Sequence, residues 1–241
     1  MSLHRIRLEP CERLFPGRYR LDPQQARHLV KVLRCYTGAL VEGLEEGRRV
    51  ILRLSVSNGV VEAKEVVDQE DLGGYASRVV LLVGLLKADQ WDQVLRFSCE
   101  LGVDQIVPVI CERSVPRPDD WHRKVQRYRR ILLESTRQCG ALRPPTIGDL
   151  VSLRELDPSG LPELRLGAFL ADGAVPIGEV VPCGDVALAV GPEGDWAPWE
   201  AEALIGMGFR PVSLGPRVLR ASTAVAAAVS LVRLSSWGVE R

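Results

Sequence analysis

The pattern of hydrophobic and polar positions changes character near residue 70. Before that point, three short β-like runs are separated by turn signals: 39–44, 50–56 and 60–67. Asn58 and Gly59 between the last two runs are typical of a two-residue hairpin, because both tolerate positive φ. Asp22, followed by a proline, predicts the start of a short helix over 24–33. We therefore expect a small β-rich module in this part of the chain.

After a linker over 68–77, predicted strands and helices alternate. The run 79–85 is continuously apolar, as expected for a strand that is buried on both faces of a sheet. Further strands are predicted at 105–110, 165–170, 185–190 and 211–214, and helices at 89–101, 120–138, 198–207 and from Thr223 onward. This alternation is typical of an α/β domain with a parallel sheet.

The overall composition excludes several classes of protein. With 46% hydrophobic and 26% charged residues, the chain is ordinary and globular rather than disordered or fibrous. Lysine plus arginine and aspartate plus glutamate number 31 each, which excludes a strongly basic nucleic-acid binder but not a local basic patch. The first residues lack the apolar stretch of a signal peptide, and the longest apolar run, 79–86, is too short to cross a bilayer. We expect a soluble, cytoplasmic protein.

Cysteine and histidine usage argues against a metal centre. The six cysteines contain no C-x-x-C pair, and histidine occurs only as His4, His28 and His122. The chain also lacks a P-loop, a G-x-G-x-x-G turn after a strand and a G-x-S-x-G nucleophile elbow. We therefore expect no metal, no P-loop phosphate cradle, no dinucleotide-binding loop and no serine hydrolase site.

Basic residues concentrate in two segments. Residues 1–34 carry eight Lys/Arg against three acids, and residues 113–143 carry nine against three, for net charges of +5 and +6. Trp121, His122 and Tyr128 are interleaved in the second segment, a combination typical of surfaces that follow RNA phosphates and stack on bases. A solvated helix face whose Trp and Tyr anchor the core explains the same pattern equally well. Arginine supplies 27 of the 31 basic residues, which suits RNA contacts, but a GC-rich genome explains that bias more simply.

Two glycine-containing turns follow the predicted strands 185–190 and 211–214. The first consists of Gly191, Pro192, Glu193, Gly194 and Asp195, and the second contains Gly215, Pro216, Arg217 and Arg220. Open α/β sheets bind ligands at the carboxyl ends of their strands, and glycine allows backbone N–H and C=O groups to approach a ligand closely. Either turn alone is better explained as an ordinary strand-to-helix connection. The pair, with its two arginines, predicts a ligand pocket.

Several motifs are similar to those of one enzyme family. They are HLVKVLR at 28–34, Lys87, SCELGV at 98–103, ERS at 112–114, QCG at 138–140, GPEG at 191–194 and LGPRVLR at 214–220, of which the last two are the most specific. On these residues the chain resembles the RsmE group of SPOUT-class methyltransferases, which methylate N3 of a uridine in 16S ribosomal RNA. It departs from the family pattern at Asp195, Ser222, Arg137 and Ala141.

The resemblance implies a fold, a cofactor and partners. We expect an α/β protein with a SPOUT-type trefoil-knotted parallel-sheet domain over 71–241 and a small PUA-like β-barrel that binds RNA over 1–70. The implied cofactor is S-adenosyl-L-methionine. The implied partners are 16S ribosomal RNA, in the small ribosomal subunit, and a second copy of the chain, in a homodimer formed through the knot domain. Two alternatives stay open: a related knotted methyltransferase acting on transfer RNA or a ribose 2′-hydroxyl, and a non-catalytic RNA-binding or ribosome-assembly factor.

The resemblance and the two turns together predict three sets of site residues. Arg220 is expected to stabilise negative charge on the uracil carbonyls, and a salt bridge to neighbouring acids is an equally open alternative. Glu193 is a candidate proton acceptor, although capping of the next helix is the favoured interpretation. The residues expected to contact the cofactor are Leu170, Gly191, Pro192, Gly194, Leu214, Gly215, Val218, Leu219 and Ala224. The residues expected to contact RNA are Arg7, Arg20, His28, Arg34, Arg113, Arg123, Arg127, Arg130 and Arg217.

Overall fold

Two compact units make up the structure, a computed structural model that describes residues 3–45, 48–69, 75, 77–117, 120–169, 173–180 and 184–237. The first unit lies within Met1–Gly74 and includes Thr136–Arg143. The second lies within Tyr75–Ser135 and Pro144–Arg241. Most of the linker predicted over 68–77 falls outside the described residues. Along the described parts of the chain, no helix combines the length and the apolar character needed to cross a membrane.

The first unit is built on a six-stranded sheet. Its elements are β1 His4–Arg7, β2 Arg13–Phe15, β3 Arg18–Arg20, α1 Pro23–Arg27, β4 Leu40–Glu45, β5 Arg48–Ser57 and β6 Val60–Gln69. The strand order is β1-β4-β5-β6-β3-β2, with β1 parallel to β4 and every other neighbouring pair antiparallel. Helix α1 continues into a single π-helical turn, His28–Val32. The core contains the fully buried side chains of Tyr19, Leu29, Val41, Leu52 and Val61.

Local chemistry explains the turns of this unit. Asn58 and Gly59 have φ of 47° and 77°, which confirms the hairpin predicted between β5 and β6. The Asp22 carboxylate accepts hydrogen bonds from the backbone N–H groups of Gln24 (2.7 Å) and Gln25 (3.2 Å), as an N-cap residue does. The helix predicted over 24–33 therefore starts as expected.

The second unit contains eight strands and four α-helices among the described residues. The strands are β7 Val79–Gly84, β8 Gln105–Ile110, β9 Thr146–Ile147, β10 Val151–Ser152, β11 Leu164–Ala168, β12 Val175–Pro176, β13 Val186–Val190 and β14 Arg210–Ser213. The helices are α2 Ala88–Glu100, α3 Trp121–Cys139, α4 Pro198–Gly206 and α5 Ala221–Trp237. The strand order is β10-β8-β7-β13-β11-β14-β12, with β9 beside β8, and every pair is parallel. The predicted α/β architecture with a parallel sheet is confirmed.

A buried arginine ties the end of α5 to this unit. The Arg233 guanidinium donates hydrogen bonds to the Ser77 carbonyl oxygen (2.5 Å), to the Gly102 carbonyl oxygen and to an Asp104 carboxylate oxygen (2.8 Å). It also lies 4.1 Å from the centroid of the Tyr75 ring. Burial lowers the pKa of this guanidinium, and the charge of Asp104 opposes that effect. The buried charge is thus supported by a carboxylate, two carbonyl oxygens and a ring face.

Gly43 in β4 offers a test of the packing in the first unit. A Cβ at this position would lie 2.7 Å from Leu52 Cδ1 and 3.0 Å from Val50 Cγ2. We therefore expect Gly43→Ala to lower the free energy of unfolding by about 1–3 kcal/mol, as overpacking does. Chemical denaturation measures the change. Gly160→Ala, whose added Cβ meets no atom within 4 Å, is the control. Equal stability of the two variants would contradict the packing described.

Candidate functional site

A pocket lies where β11, β13 and β14 end. Its volume is about 100 Å³, and it opens to solvent. Because the three strands are parallel neighbours, their carboxyl ends meet at one edge of the sheet, which is where open α/β sheets bind ligands. The residues that line it are Ala168, Phe169, Val190, Gly191, Pro192, Glu193, Asp195, Val212, Ser213, Leu214, Gly215, Arg217, Val218, Leu219, Ala221 and Ala224.

The first wall of the pocket is the 190–195 turn, which follows β13. Gly84, at the end of β7, allows this turn to approach, because a Cβ there would lie 2.6 Å from both the N and Cδ atoms of Pro192. The same Cβ would lie 3.0 Å from the Sγ of Cys111, and burial raises the pKa of that thiol to about 12. Asp195 adopts a positive φ of 59°, and its carboxylate accepts a hydrogen bond from the backbone N–H of Trp196 (2.9 Å). The turn is therefore compact and packs closely against the end of β7.

The second wall is the 213–219 turn, which follows β14. Gly215 has a φ of 118°, a conformation that other residues rarely adopt, and its N–H donates to the Ser213 hydroxyl (3.2 Å). A Cβ added at Gly215 would meet no atom within 4 Å. Val218 is 78% exposed, although it lines the pocket. This wall contributes the apolar residues Leu214, Val218 and Leu219 and the charged Arg217 to the pocket lining.

The floor comes from residues that the sequence analysis missed. Ala168 ends β11, Phe169 follows it, and Ala221 begins α5. Phe169 folds back over Gly167, whose missing side chain leaves room for the ring. No local signal marks these residues, because their place at the pocket depends on β11 lying between β13 and β14. Leu170, predicted at this strand end, lies outside the described residues.

Most of the residues predicted at the cofactor come together. Those that line the pocket are Gly191, Pro192, Leu214, Gly215, Val218, Leu219 and Ala224. Gly194 does not line it; this residue packs instead against the side chain of Arg113. Arg217 lines the pocket, whereas Arg220 is exposed at the residue before α5 and is not part of the lining. Within the described parts of the chain, neither arginine side chain forms an ion pair.

The favoured interpretation of Glu193 as a cap of the next helix is wrong. Its carboxylate accepts a hydrogen bond from the backbone N–H of Lys87 (3.3 Å), the residue that precedes α2. The next helix, α4, is capped by Glu200, whose carboxylate accepts from the backbone N–H of Ala197 (2.8 Å). Glu193 therefore links the 190–195 turn to the start of α2 while it lines the pocket.

Apart from Arg217, which lines the pocket, the residues predicted to contact RNA fall into two groups. His28, Arg34, Arg123 and Arg130 are exposed. Four others have protein partners: Arg7 pairs with Glu9 (3.5 Å), Arg20 with Glu62 (2.8 Å), Arg127 with both carboxylate oxygens of Asp92 (2.7 and 2.5 Å), and Arg113 with the Gly194 carbonyl oxygen (3.0 Å). A surface ion pair does not exclude an RNA contact, so these assignments stay predictions.

The aromatic residues Trp121 and Tyr128 of the second basic segment pack against Trp91 of α2. The ring centroids of Trp121 and Tyr128 are 5.7 Å apart, and both lie within 6.5 Å of that of Trp91. Tyr128 is buried, and burial raises its pKa. The structure therefore supports the interpretation of Tyr128 as a core anchor. The alternative prediction, that this ring stacks on RNA bases, is wrong because the ring is buried.

Comparisons with known proteins agree with this geometry. A family model described as an RNA methyltransferase domain matches residues 75–233. A Synechocystis protein named ribosomal RNA small subunit methyltransferase E is 28% identical over 236 residues, which cover 92% of this chain and 74% of that protein. An Aquifex aeolicus protein of the same name is 33% identical over 141 residues, 58% of this chain and 61% of that protein.

Two solved structures are similar to this protein over nearly the whole chain. A Legionella pneumophila protein in complex with the bound cofactor SAM has a TM-score of 0.85 and 27% identity, and 98% of each chain is covered. A ribosomal RNA small subunit methyltransferase E from Neisseria gonorrhoeae, bound to S-adenosylmethionine, has a TM-score of 0.83 and 27% identity, covering 97% of this chain and 98% of that one. The chain belongs to the RNA methyltransferase family. The resemblance to the RsmE group is confirmed.

Gly84 tests the packing beneath the pocket. Gly84→Ala places a Cβ against the backbone of Pro192, so the 190–195 turn must shift. We expect backbone amides of this turn to exchange hydrogen at least about tenfold faster than in the wild type, because the turn loses support. Hydrogen–deuterium exchange measures this. Gly206→Ala, whose added Cβ meets no atom within 4 Å, is the control, and unchanged exchange in Gly84→Ala would contradict the contact.

Proposed function

We propose that this enzyme transfers a methyl group from S-adenosylmethionine to N3 of a uridine in 16S ribosomal RNA. The observation that carries the proposal is the pocket between the 190–195 and 213–219 turns, in a chain of the RNA methyltransferase family. The named relatives from Synechocystis and Aquifex aeolicus support the ribosomal substrate. The two SAM-bound structures support the cofactor.

The residues of the pocket suit a nucleoside with a charged tail. Phe169, Leu219 and Ala224 offer apolar surface for a base. The backbone around Gly215 offers polar groups unobstructed by side chains, because a Cβ added there would meet no atom within 4 Å. These residues would hold the cofactor.

Orientation of the uracil and stabilisation of its developing charge require groups beside the pocket. When bound, S-adenosylmethionine supplies a methyl group that is already electrophilic on its sulfonium, so the protein must mainly align the uracil with it. Uracil N3 must lose its proton to become nucleophilic, and negative charge then develops on the ring carbonyls. We assign Arg220 to stabilise that charge and Arg217 to orient phosphate or uracil oxygens. The Glu193 carboxylate has one oxygen bound to the Lys87 N–H, which leaves the other as a candidate proton acceptor.

Finer features of the resemblance are also part of this proposal. A trefoil knot in the second unit is supported by β11, which precedes β13 in the chain yet lies between β13 and β14. A PUA-like barrel that binds RNA is supported by the six-stranded sheet of the first unit and by the net charge of +5 over residues 1–34. We further assign a cytoplasmic location and a homodimer formed through the second unit.

Gly215→Val tests the cofactor site. Valine is strained at a φ of 118° and adds a branched side chain at the pocket lining, so we expect binding of S-adenosylmethionine to weaken at least about 100-fold. Isothermal calorimetry without RNA measures the affinity. Gly184→Val, at a φ of 96° and away from the pocket, is the matched control for backbone strain. Wild-type affinity in Gly215→Val would place the cofactor elsewhere, and no binding by the wild type would favour a non-catalytic factor.

Arg220→Ala tests the assignment of charge stabilisation. We expect methylation to fall about 100- to 1,000-fold, as when an oxyanion donor is removed, while the Kd for S-adenosylmethionine changes less than about threefold. Mass spectrometry of N3-methyluridine in 16S ribosomal RNA measures turnover. Arg210→Ala, an exposed arginine on β14 outside the pocket lining, is the control. Normal turnover in Arg220→Ala would remove this residue from the mechanism.

A further inference from the structure

We infer that Arg113 and Glu200 are positioning residues, which together hold the 190–195 turn in the conformation that binds the cofactor. This inference rests on the proposed function. It also changes the interpretation of Arg113, which the sequence analysis places among the RNA contacts.

Glu200 bridges two loops from a fully buried position. One carboxylate oxygen accepts a hydrogen bond from the backbone N–H of Glu112 (2.8 Å), just after β8, and the other accepts from the backbone N–H of Ala197 (2.8 Å), just after the 190–195 turn. Its side chain is 0% exposed, and in the described part of the chain no cation pairs with it. A buried carboxylate is tolerated only when its oxygens are hydrogen-bonded, so Glu200 holds both loops to the same place.

Arg113 makes the reciprocal connection. It follows β8, and its Nη1 donates to the carbonyl oxygens of Gly194 (3.0 Å) and Trp196 (3.4 Å). Its stem packs against the same turn, because a Cβ added at Gly194 would lie 3.0 Å from Arg113 Cβ. A side chain from the β8 loop thus binds the turn backbone, while Glu200 from beyond the turn binds the β8 loop backbone.

A third bond closes the arrangement. The indole N–H of Trp199 donates to the Glu112 carboxylate (2.5 Å). Residues 112–113 are therefore joined to residues 194–200 by bonds in both directions. Asp195 within this segment holds a positive φ that is unfavourable for a residue with a side chain, and such a conformation persists only where its surroundings hold it. Since Asp195 lines the pocket, loosening these bonds alters the cofactor wall.

Arg113→Lys and Arg113→Met separate positioning from RNA binding. Neither side chain can reproduce the guanidinium bonds, so we expect both variants to raise the Kd for S-adenosylmethionine about tenfold, measured by calorimetry without RNA. Arg113→Met should leave the salt dependence of RNA binding unchanged. Glu200→Gln, which replaces one acceptor oxygen by a donor, should raise the same Kd.

Arg165→Lys is the matched control. Arg165 lies in the same unit and donates to the carbonyl oxygens of Pro162, Pro158 and Met207, but it does not line the pocket. We expect this variant to lower the thermal midpoint and to keep the Kd within about twofold of the wild type.

The outcomes are distinct. An Arg113→Met variant with wild-type Kd and a salt slope reduced by about one would make Arg113 an RNA contact and overturn the inference. If the Kd rises equally in Arg165→Lys, general destabilisation explains the result for Arg113. That outcome would also overturn the inference. If the wild type binds no S-adenosylmethionine, the proposed function itself fails, and the inference fails with it.

Discussion

The parallel register of β11 with its two neighbours is the constraint on which the pocket depends. Ala168 pairs with Val190 on one side and with Val212 on the other, so three strands end nearly level. The turns that follow these strands therefore lie together at the carboxyl-terminal edge of the sheet. A register shift of a single residue in β11 would move its side chains to the opposite face of the sheet and withdraw Phe169 from the floor.

The second unit satisfies its buried charges mainly with backbone groups. Glu200 binds two N–H groups, whereas Arg233 binds two carbonyl oxygens and one carboxylate. Hydrogen bonds to charged groups are stronger than those between neutral groups, and losing one leaves a buried charge without support. Such bonds fix loops that have little apolar surface of their own. They explain how a pocket made of turns keeps a defined shape.

Sequence patterns could predict the long elements and the two turns, because apolar runs and glycine positions are local signals. They could not predict that β11 lies between β13 and β14, because strand order is set by distant pairing, and so Phe169 was missed. Glu193 was expected to cap α4, but the path of the turn brings it to the Lys87 N–H, and Glu200 caps α4 instead. The role of Tyr128 was equally ambiguous, because the sequence of a basic helix does not indicate which of its faces is buried.

A crystal structure with S-adenosylhomocysteine, the product left after methyl transfer, tests the central claim most directly. The account predicts electron density between the 190–195 and 213–219 turns, in contact with Phe169, with Arg113 still bound to the Gly194 carbonyl oxygen. Density for the product at any other place on the chain would contradict it.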